Sequence, residues 1–222
     1  QGNGIFKMKF DDMLEYHKRV DADITLAYRD MYDFADSDLS RLGIIKLDEN
    51  NRVTDFQEKP LHPHTRLGSM GIYIMKRSLL INLLEECIAH GQYDFVKDIL
   101  IKKIDTLKVY GYEFRGYWRN ISSVKNYYQC SMDMLKPEIR KELFIDNGKV
   151  YTKVKDEAPA KYNEEAEVRN SIVADGCFIE GYVENSILFR GVTVANGAVI
   201  KNSIIMQGAV IEQDASIEYA IV

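Results

Sequence analysis

The chain has 222 residues, of which 46% are apolar and 28% are charged, and its formal net charge is −5. This length suits one large domain or two modest ones, and the apolar share is sufficient for a packed core. The mixed, slightly acidic charge argues against a nucleic-acid partner, and the lack of a long apolar run argues against a membrane span.

The first 135 residues alternate predicted helices and strands. Apolar residues at helical spacing predict helices at residues 11–20, 77–90, 94–104 and 122–134. Apolar or alternating runs predict strands at residues 23–29, 43–57, 69–75 and 107–118, with a turn inside the second of these ranges. The alternation indicates an α/β layered domain, which we expect to be incomplete because its strands are too few for a self-sufficient sheet.

The composition changes near residue 137. Residues 137–165 are polar, include Pro137 and Pro159, and show little periodicity. This segment is predicted to be an ordered linker between two domains. We therefore assign residues 1–136 to the first domain and residues 166–222 to the second.

A six-residue period marks the last part of the chain. The two apolar series are Leu188, Val194, Ile200, Met206 and Val192, Ala198, Ile204, Val210. This period predicts a parallel β-helix in which three hexads make one coil. A β-sandwich is the alternative, but sandwich strands alternate with a period of two. The next apolar pair, Ile211 and Ile217, falls one residue early, and the apolar C-terminal end predicts that more chain or another subunit covers the last coil.

Cysteine and histidine are too scattered to predict a metal centre. Cys87, Cys130 and Cys177 are far apart and odd in number, which argues against a disulfide scaffold and predicts a reducing, cytoplasmic environment. The histidines of His62-Pro63-His64 have no third ligand nearby in sequence. A solvated loop is therefore the favoured interpretation of that segment.

The residues Glu58-Lys59-Pro60 follow a predicted strand that contains Phe56. Pro60 is expected to move Lys59 away from helical geometry into an extended conformation. An acid and a base then lie together at a strand end, where open α/β sheets bind ligands. A solvated charged turn is the alternative if these three residues are considered alone.

These residues belong to a larger set of motifs in a particular order. The set comprises FQEKP at residues 56–60, GSMGIY at 68–73, Asp94-Phe95 with Lys97-Asp98, and YWRN at 117–120, followed by the linker and the β-helix. In order and spacing it resembles the bacterial ADP-glucose pyrophosphorylases (glucose-1-phosphate adenylyltransferases) over essentially the whole chain. The resemblance implies an α/β fold class, with a partial Rossmann-like nucleotidyltransferase domain followed by a left-handed parallel β-helix.

The same resemblance implies a reaction and a site. In that family, glucose-1-phosphate attacks the α-phosphorus of ATP, giving ADP-glucose and pyrophosphate, with Mg²⁺ held by two aspartates. Glu58 is implied to bind sugar hydroxyls and Lys59 the sugar phosphate. Ser69 is implied to line the sugar pocket, and Gly43 to lie near the same cleft.

Two positions depart from the family pattern. Where the family continues YWR with a metal-binding aspartate, this chain has Asn120. The stretch Gly2-Asn3-Gly4 lines up with the second aspartate and again offers an asparagine. An amide supplies a neutral oxygen instead of a charged carboxylate, so we expect weak Mg²⁺ binding and activity lower by orders of magnitude. The alternative for Asn120 is a strand-end amide that bonds to nearby backbone.

These departures predict a GlgD-type subunit in glycogen synthesis. Such a subunit is regulatory and catalytically weakened, and it assembles with a catalytic GlgC-type subunit into a hetero-oligomer. The alternatives are an active sugar-1-phosphate nucleotidyltransferase with other metal ligands and a β-helix scaffold or acyltransferase. The last is disfavoured because no histidine follows His90. A homo-oligomer is the alternative to the hetero-oligomer. The family's Gly-rich nucleotide loop has no match in the chain, so we expect that loop and its ATP contacts upstream of residue 1.

Overall fold

The computed structural model describes residues 2–222, which divide into two units. The first unit contains the residues up to Gly4 together with Met8–Gly116. The second contains Ile5–Lys7 and Tyr117–Val222. The short strand β1 (Gly4–Ile5) lies at the division between them.

A mixed five-stranded sheet forms the centre of the first unit. Its strands are β2 (Ile24–Asp30), β3 (Gly43–Leu47), β4 (Val53–Glu58), β5 (Leu67–Met75) and β6 (Val109–Glu113), in the spatial order β4-β3-β5-β2-β6. Strand β2 pairs parallel with β6 and antiparallel with β5. Fully buried side chains such as Ile24, Leu26 and Ile45 place the hydrophobic core on this sheet.

The helices of this unit are α1 (Phe10–Arg19), α2 (Asp36–Leu39), α3 (Arg77–Ala89) and α4 (Ile101–Lys103). The predicted helix at 94–104 is found as a π-helical turn, Phe95–Leu100, that continues into α4. Asp94 caps it as predicted, because its Oδ1 accepts hydrogen bonds from the amides of Val96 and Lys97. The predicted strand at 107–118 is shorter than expected and ends at Glu113, after which the amide of Phe114 donates to the carbonyl of Tyr28.

A bulge separates two halves of the β2–β5 pairing. Tyr28 pairs with Ser69, whereas Leu26 pairs with Tyr73, so three residues of β5 lie opposite one residue of β2. Gly71 lies at the middle of the bulge with φ +68°, a backbone conformation that side chains with a Cβ rarely adopt. The extra residues of β5 therefore change the spacing between its side chains on either side of Gly71.

The second unit begins with β7 (Arg119–Asn120) and three helical segments. These are α5 (Val124–Asp133), α6 (Pro137–Lys141) and a π-helical turn, Glu142–Asp146. Strand β8 (Lys161–Tyr162) pairs with Phe178–Ile179, so the solenoid pairing starts before residue 166 and within the segment assigned to the linker. The hydroxyl of Tyr128 on α5 donates to the carbonyl of Asn202, which joins this helix to the solenoid.

The solenoid consists of three parallel sheets that run the length of the coil stack. Their strands are β8-β11-β14-β17, β9-β12-β15-β18 and β10-β13-β16. The strand bounds from β9 onward are Glu167–Arg169, Ile172–Val173, Phe178–Ile179, Tyr182–Glu184, Ile187–Leu188, Thr193–Val194, Val199–Lys201, Ile204–Ile205, Val210–Ile211 and Ser216–Glu218. Inward side chains such as Ile179, Val194 and Ile200 are fully buried.

The hexad period is right for most of the solenoid and wrong near its end. The period places Met206 and Val210 in the two apolar series, but they are 41% and 61% exposed. Ile205 and Ile211 are the buried residues instead. The register shifts because stacked residues 187 and 204 are separated by 17 positions, one fewer than three full hexads require.

One tight corner accounts for the missing residue in the coils that repeat after 17 positions, whereas the first coil has the same corner and repeats after 15. Asn170, Asn185 and Asn202 occupy this corner with φ between +39° and +46°, a conformation that asparagine tolerates better than most residues. A serine follows each asparagine, and these serines form a hydrogen-bonded ladder in which Ser186 and Ser203 are fully buried. The Oγ of Ser186 donates to the carbonyl of Glu184 at 2.7 Å and accepts from the amide of Ser203 at 3.1 Å.

The membrane expectation was tested on the described residues. Within residues 2–222, no helix combines the length and the apolar character that crossing a bilayer requires.

We predict that Ser186→Ala lowers the free energy of unfolding by about 1–3 kcal/mol, because it leaves the buried amide of Ser203 without an acceptor. Alanine is sterically acceptable at this position. Two coils further along, Ala220 occupies the equivalent place, directly after the left-handed corner residue Tyr219. Urea unfolding followed by circular dichroism measures the change. The control is Ser216→Ala on an exposed strand position, expected to change stability by less than about 0.5 kcal/mol; equal effects of the two would disprove the role of the ladder.

Candidate functional site

Three predicted site residues meet at the open end of the β3–β4 pair, away from the turn that joins the two strands. Gly43 pairs directly with Glu58, and the amide of Lys59 donates to the carbonyl of Leu42 at 3.1 Å. A Cβ on Gly43 would lie 2.5 Å from Cζ of Phe56 and 3.3 Å from Oε2 of Glu58. Glycine is therefore required here because it leaves room for the Glu58 carboxylate and the Phe56 ring.

Lys59 does not have the extended backbone that the following proline predicted. Its φ is +50°, in the left-handed region, because its amide closes the strand end on Leu42 while Pro60 excludes right-handed helical geometry. Its Nζ lies 3.7 Å from Oε1 of Glu58, and the lysine side chain is 65% exposed while the glutamate side chain is 22% exposed. The arrangement presents an exposed cation beside a largely buried hydrogen-bond acceptor.

Ser69 lies on the neighbouring strand β5, one residue after Gly68, which pairs with Ile44 of β3. Its side chain is almost fully buried, and its Oγ accepts from the amide of Gly71 at 3.3 Å. The structure thus brings Ser69 to the strand that borders Gly43 and Glu58. Ser69 is thus a buried polar residue on a mainly apolar strand, which suits a ligand-facing position.

Tyr73 is a polar residue of this region that the sequence analysis did not select. Burial raises the pKa of its phenol, the hydrogen bond with Ser69 lowers it, and the charges of Glu58 and Asp94 raise it, so the net direction is upward. The phenol is therefore kept in its neutral form. Tyr73 is the last residue of the GSMGIY motif, so the sequence contained a sign of its role. Its proximity to Ser69 depends on the bulge at Gly71, which the sequence pattern does not predict.

In the second unit, a buried carboxylate organises the residues before Asn120. Asp133 is 2% exposed and accepts from the hydroxyl of Tyr117 at 3.1 Å, from Nε of Arg119 at 3.4 Å and from Nζ of Lys136 at 2.8 Å. Burial raises the pKa of Asp133, but the hydrogen bond and charge of Lys136, with smaller contributions from Tyr117 and Arg119, shift it downward overall. Trp118, between these two partners in sequence, is 1% exposed.

Asn120 is buried on β7, and its Oδ1 has no hydrogen-bond partner among the described residues. The alternative of a side-chain carbonyl bonded to nearby backbone is therefore not observed for this oxygen. Its backbone carbonyl accepts from Nδ2 of Asn126 at 3.2 Å, and Ser123 caps α5 by accepting from the amide of Asn126. These bonds fix the backbone of Asn120 while leaving its amide oxygen unused.

Asn3 lies in the first unit and is exposed, whereas Asn120 lies in the second. Within the described residues, no group of three or more histidine, cysteine, aspartate or glutamate side chains is arranged to hold a metal ion. The two positions predicted to have lost metal-binding carboxylates thus both carry amide side chains, and they belong to different units.

We predict that Asp133→Asn destabilises the protein by about 2–4 kcal/mol, because it removes the buried negative charge to which Arg119 and Lys136 are ion-paired; the partial exposure of these two cations keeps the loss below that of a fully buried pair. Thermal and urea unfolding measure the effect. The matched control is Asp146→Asn, which removes a half-exposed carboxylate 4.0 Å from Lys141 and is expected to cost less than about 0.5 kcal/mol. A loss no larger than that of the control would contradict the organising role of Asp133.

Comparison with known proteins agrees with the fold. A family described as nucleotidyl transferase matches residues 1–137, and one described as GlmU-like, C-terminal hexapeptide matches residues 156–222. The predicted fold class, a nucleotidyltransferase α/β domain followed by a hexapeptide-repeat left-handed β-helix, is therefore confirmed.

Relatives with curated names have also been found. Proteins named glucose-1-phosphate adenylyltransferase are 35% identical in Thermosipho africanus, over 90% of this chain and 48% of the relative; 37% identical in Bacillus mycoides, over 100% of this chain and 59% of the relative; and 36% identical in Geobacillus stearothermophilus, over 90% of this chain and 51% of the relative. The chain thus spans about half the length of the curated relatives it matches. The chain belongs to the nucleotidyl transferase family, and within it the predicted resemblance to the glucose-1-phosphate adenylyltransferases is confirmed.

Proposed function

We propose that the protein containing this chain acts in ADP-glucose synthesis as a GlgD-type, catalytically weakened subunit. In the reaction, a phosphate oxygen of glucose-1-phosphate attacks the α-phosphorus of ATP, and the bond to pyrophosphate breaks. The names of the relatives support the substrates, ATP and glucose-1-phosphate. The proposed product is ADP-glucose, the glucosyl donor for glycogen.

The observation that carries the weakened activity is the amide at Asn120. It lies where the family resemblance implies a metal-binding aspartate, and its buried Oδ1 has no partner among the described residues. Mg²⁺ is bound in proteins chiefly through carboxylate oxygens, and an amide offers one neutral oxygen. Asn3 provides the same neutral donor at the second position. The donor set of this chain therefore does not fit Mg²⁺, and no catalytic step is assigned to the metal here.

We propose that Gly43, Glu58, Lys59 and Ser69 bind the sugar phosphate. Glu58 is held against Gly43 by strand pairing, which suits a fixed acceptor for sugar hydroxyls. Lys59 has an exposed ammonium, which suits a phosphate contact. Ser69 and the neutral phenol of Tyr73 add hydroxyl donors beside Glu58.

The proposed partner is a catalytic GlgC-type subunit in a hetero-oligomer. The frame before Asn120, formed by Tyr117, Arg119 and Asp133, is intact, because Tyr117 and Arg119 both donate hydrogen bonds to Asp133. A subunit that keeps this frame and the sugar-phosphate residues but lacks metal-binding carboxylates is suited to modulate a catalytic partner. The β-helix supplies an assembly surface.

We predict that the full-length protein alone releases pyrophosphate slowly from ATP and glucose-1-phosphate. The double variant Asn120→Asp with Asn3→Asp should raise the rate by at least about tenfold. The reason is that metal stabilisation of the transition state is worth several kcal/mol, and about 1.4 kcal/mol corresponds to a factor of ten in rate. A coupled pyrophosphate assay with varied Mg²⁺ measures it.

The matched control for this pair is Asn50→Asp, an exposed amide in the β3–β4 turn that should leave the rate unchanged. No rise in the correctly folded double variant would refute the metal-loss explanation. Robust turnover by the unaltered protein without a partner would favour the alternative, an active nucleotidyltransferase with other ligands.

We predict that Lys59→Gln weakens glucose-1-phosphate binding about tenfold, because a charge-assisted contact to phosphate is lost. Isothermal titration calorimetry measures the affinity. Lys46→Gln, which removes an exposed lysine from the same strand pair, is the control and should bind normally. Equal weakening in both variants would show that general charge, and not the Lys59 site, attracts the ligand.

A further inference from the structure

The first coil of the solenoid leaves two backbone donors without partners. In the second coil, the corner amides donate to the coil before, from Asn185 to the carbonyl of Arg169 and from Ser186 to Oγ of Ser171, both at 3.1 Å. The next two corners repeat the same pair of bonds. In the first corner, the amides of Asn170 and Ser171 have no hydrogen-bond partner in the described part of the chain.

The turn between α5 and α6 lies beside these two amides, where a preceding coil would otherwise supply acceptors. A cavity of about 290 Å³ separates that turn from the corner. Leu135 and Pro137 contribute apolar walls, and Arg140, Asn170 and Ser171 contribute polar ones. The lining contains one cation and no carboxylate.

Arg140 is held in place by one bond and keeps the rest of its donors. Its Nη1 donates to the carbonyl of Met134 at 2.6 Å, and no other hydrogen bond or ion pair of this guanidinium is found among residues 2–222. Other cations of these segments are already paired, Lys136 with Asp133, Lys141 with Asp146 and Arg169 with Glu167. The uncompensated positive charge of this region therefore belongs to Arg140.

We propose that this corner binds a phosphoryl group, through the amides of Asn170 and Ser171 and the guanidinium of Arg140. Asn170 has φ +39°, and consecutive amides next to a left-handed residue form a concavity that suits anions. Arginine complements phosphate because its planar donors match two oxygens at once. The cavity is at the small end of ligand pockets, which favours free phosphate or a short phosphomonoester.

The test uses the full-length protein, ¹⁵N-labelled, titrated with inorganic phosphate and, separately, with glycerol 3-phosphate. We expect saturable downfield shifts of the Asn170 and Ser171 amide protons, with the corresponding amides of Asn185 and Ser186 unaffected because they are already bonded. Tighter binding of the ester would identify a phosphorylated metabolite as the ligand, and equal or weaker binding would identify free phosphate. The absence of saturable shifts with both probes would overturn the proposal.

Variants separate the site from general attraction of anions. Arg140→Gln should weaken phosphate binding by about tenfold, since it removes the charge-assisted bonds, and Arg140→Lys should retain part of it. Arg169→Gln makes the same change of charge one residue from the corner but outside the cavity lining, and it should bind as the unaltered chain does. Equal weakening by Arg140→Gln and Arg169→Gln would also overturn the proposal. The outcome is independent of the proposed function, because none of its residues is used there.

Discussion

The second unit depends on one constraint. Each backbone amide of the solenoid needs a hydrogen-bond acceptor in the adjacent coil. Left-handed asparagines shorten one corner, and the serine ladder supplies the acceptors that the shortened backbone no longer offers. The inward position of Ile205 and Ile211 and the exposure of Met206 follow from that corner. The same constraint explains the first coil, where the acceptors are missing and a basic cavity lies in their place.

A buried charge has a comparable role for the residues before β7. The buried carboxylate of Asp133 accepts hydrogen bonds from Tyr117, Arg119 and Lys136, which stabilise its charge and tie these side chains to one centre. The backbone of Asn120 is fixed separately by Asn126. The protein thus retains an ordered support for position 120 although the side chain there is neutral. That combination is what a subunit would show if geometry had been kept while metal affinity was lost.

Much of the fold is predictable from local sequence patterns, because periodicity reports which face of an element is buried. The hexads located the solenoid, and the apolar spacing located α1, α3 and α5. Features that depend on non-local bonds were not predictable. The left-handed Lys59 follows from a bond to Leu42, the exposure of Met206 from a corner at Asn202, and the proximity of Tyr73 to Ser69 from a bulge. For the candidate site, motifs identified Glu58 and Asn120, but no pattern could show that Oδ1 of Asn120 is buried without a partner.

Helix α5 holds two parts of the second unit at once. Two of its residues, Asn126 and Tyr128, bond to the carbonyl of Asn120 and to the carbonyl of Asn202, and these targets are far apart along the chain. Opening this one helix would release both, so β7 and the third solenoid corner form a single cooperative unit for local unfolding. A ligand or subunit that stiffens the coil stack would therefore also reduce the opening of the strand that carries Asn120, without contacting it.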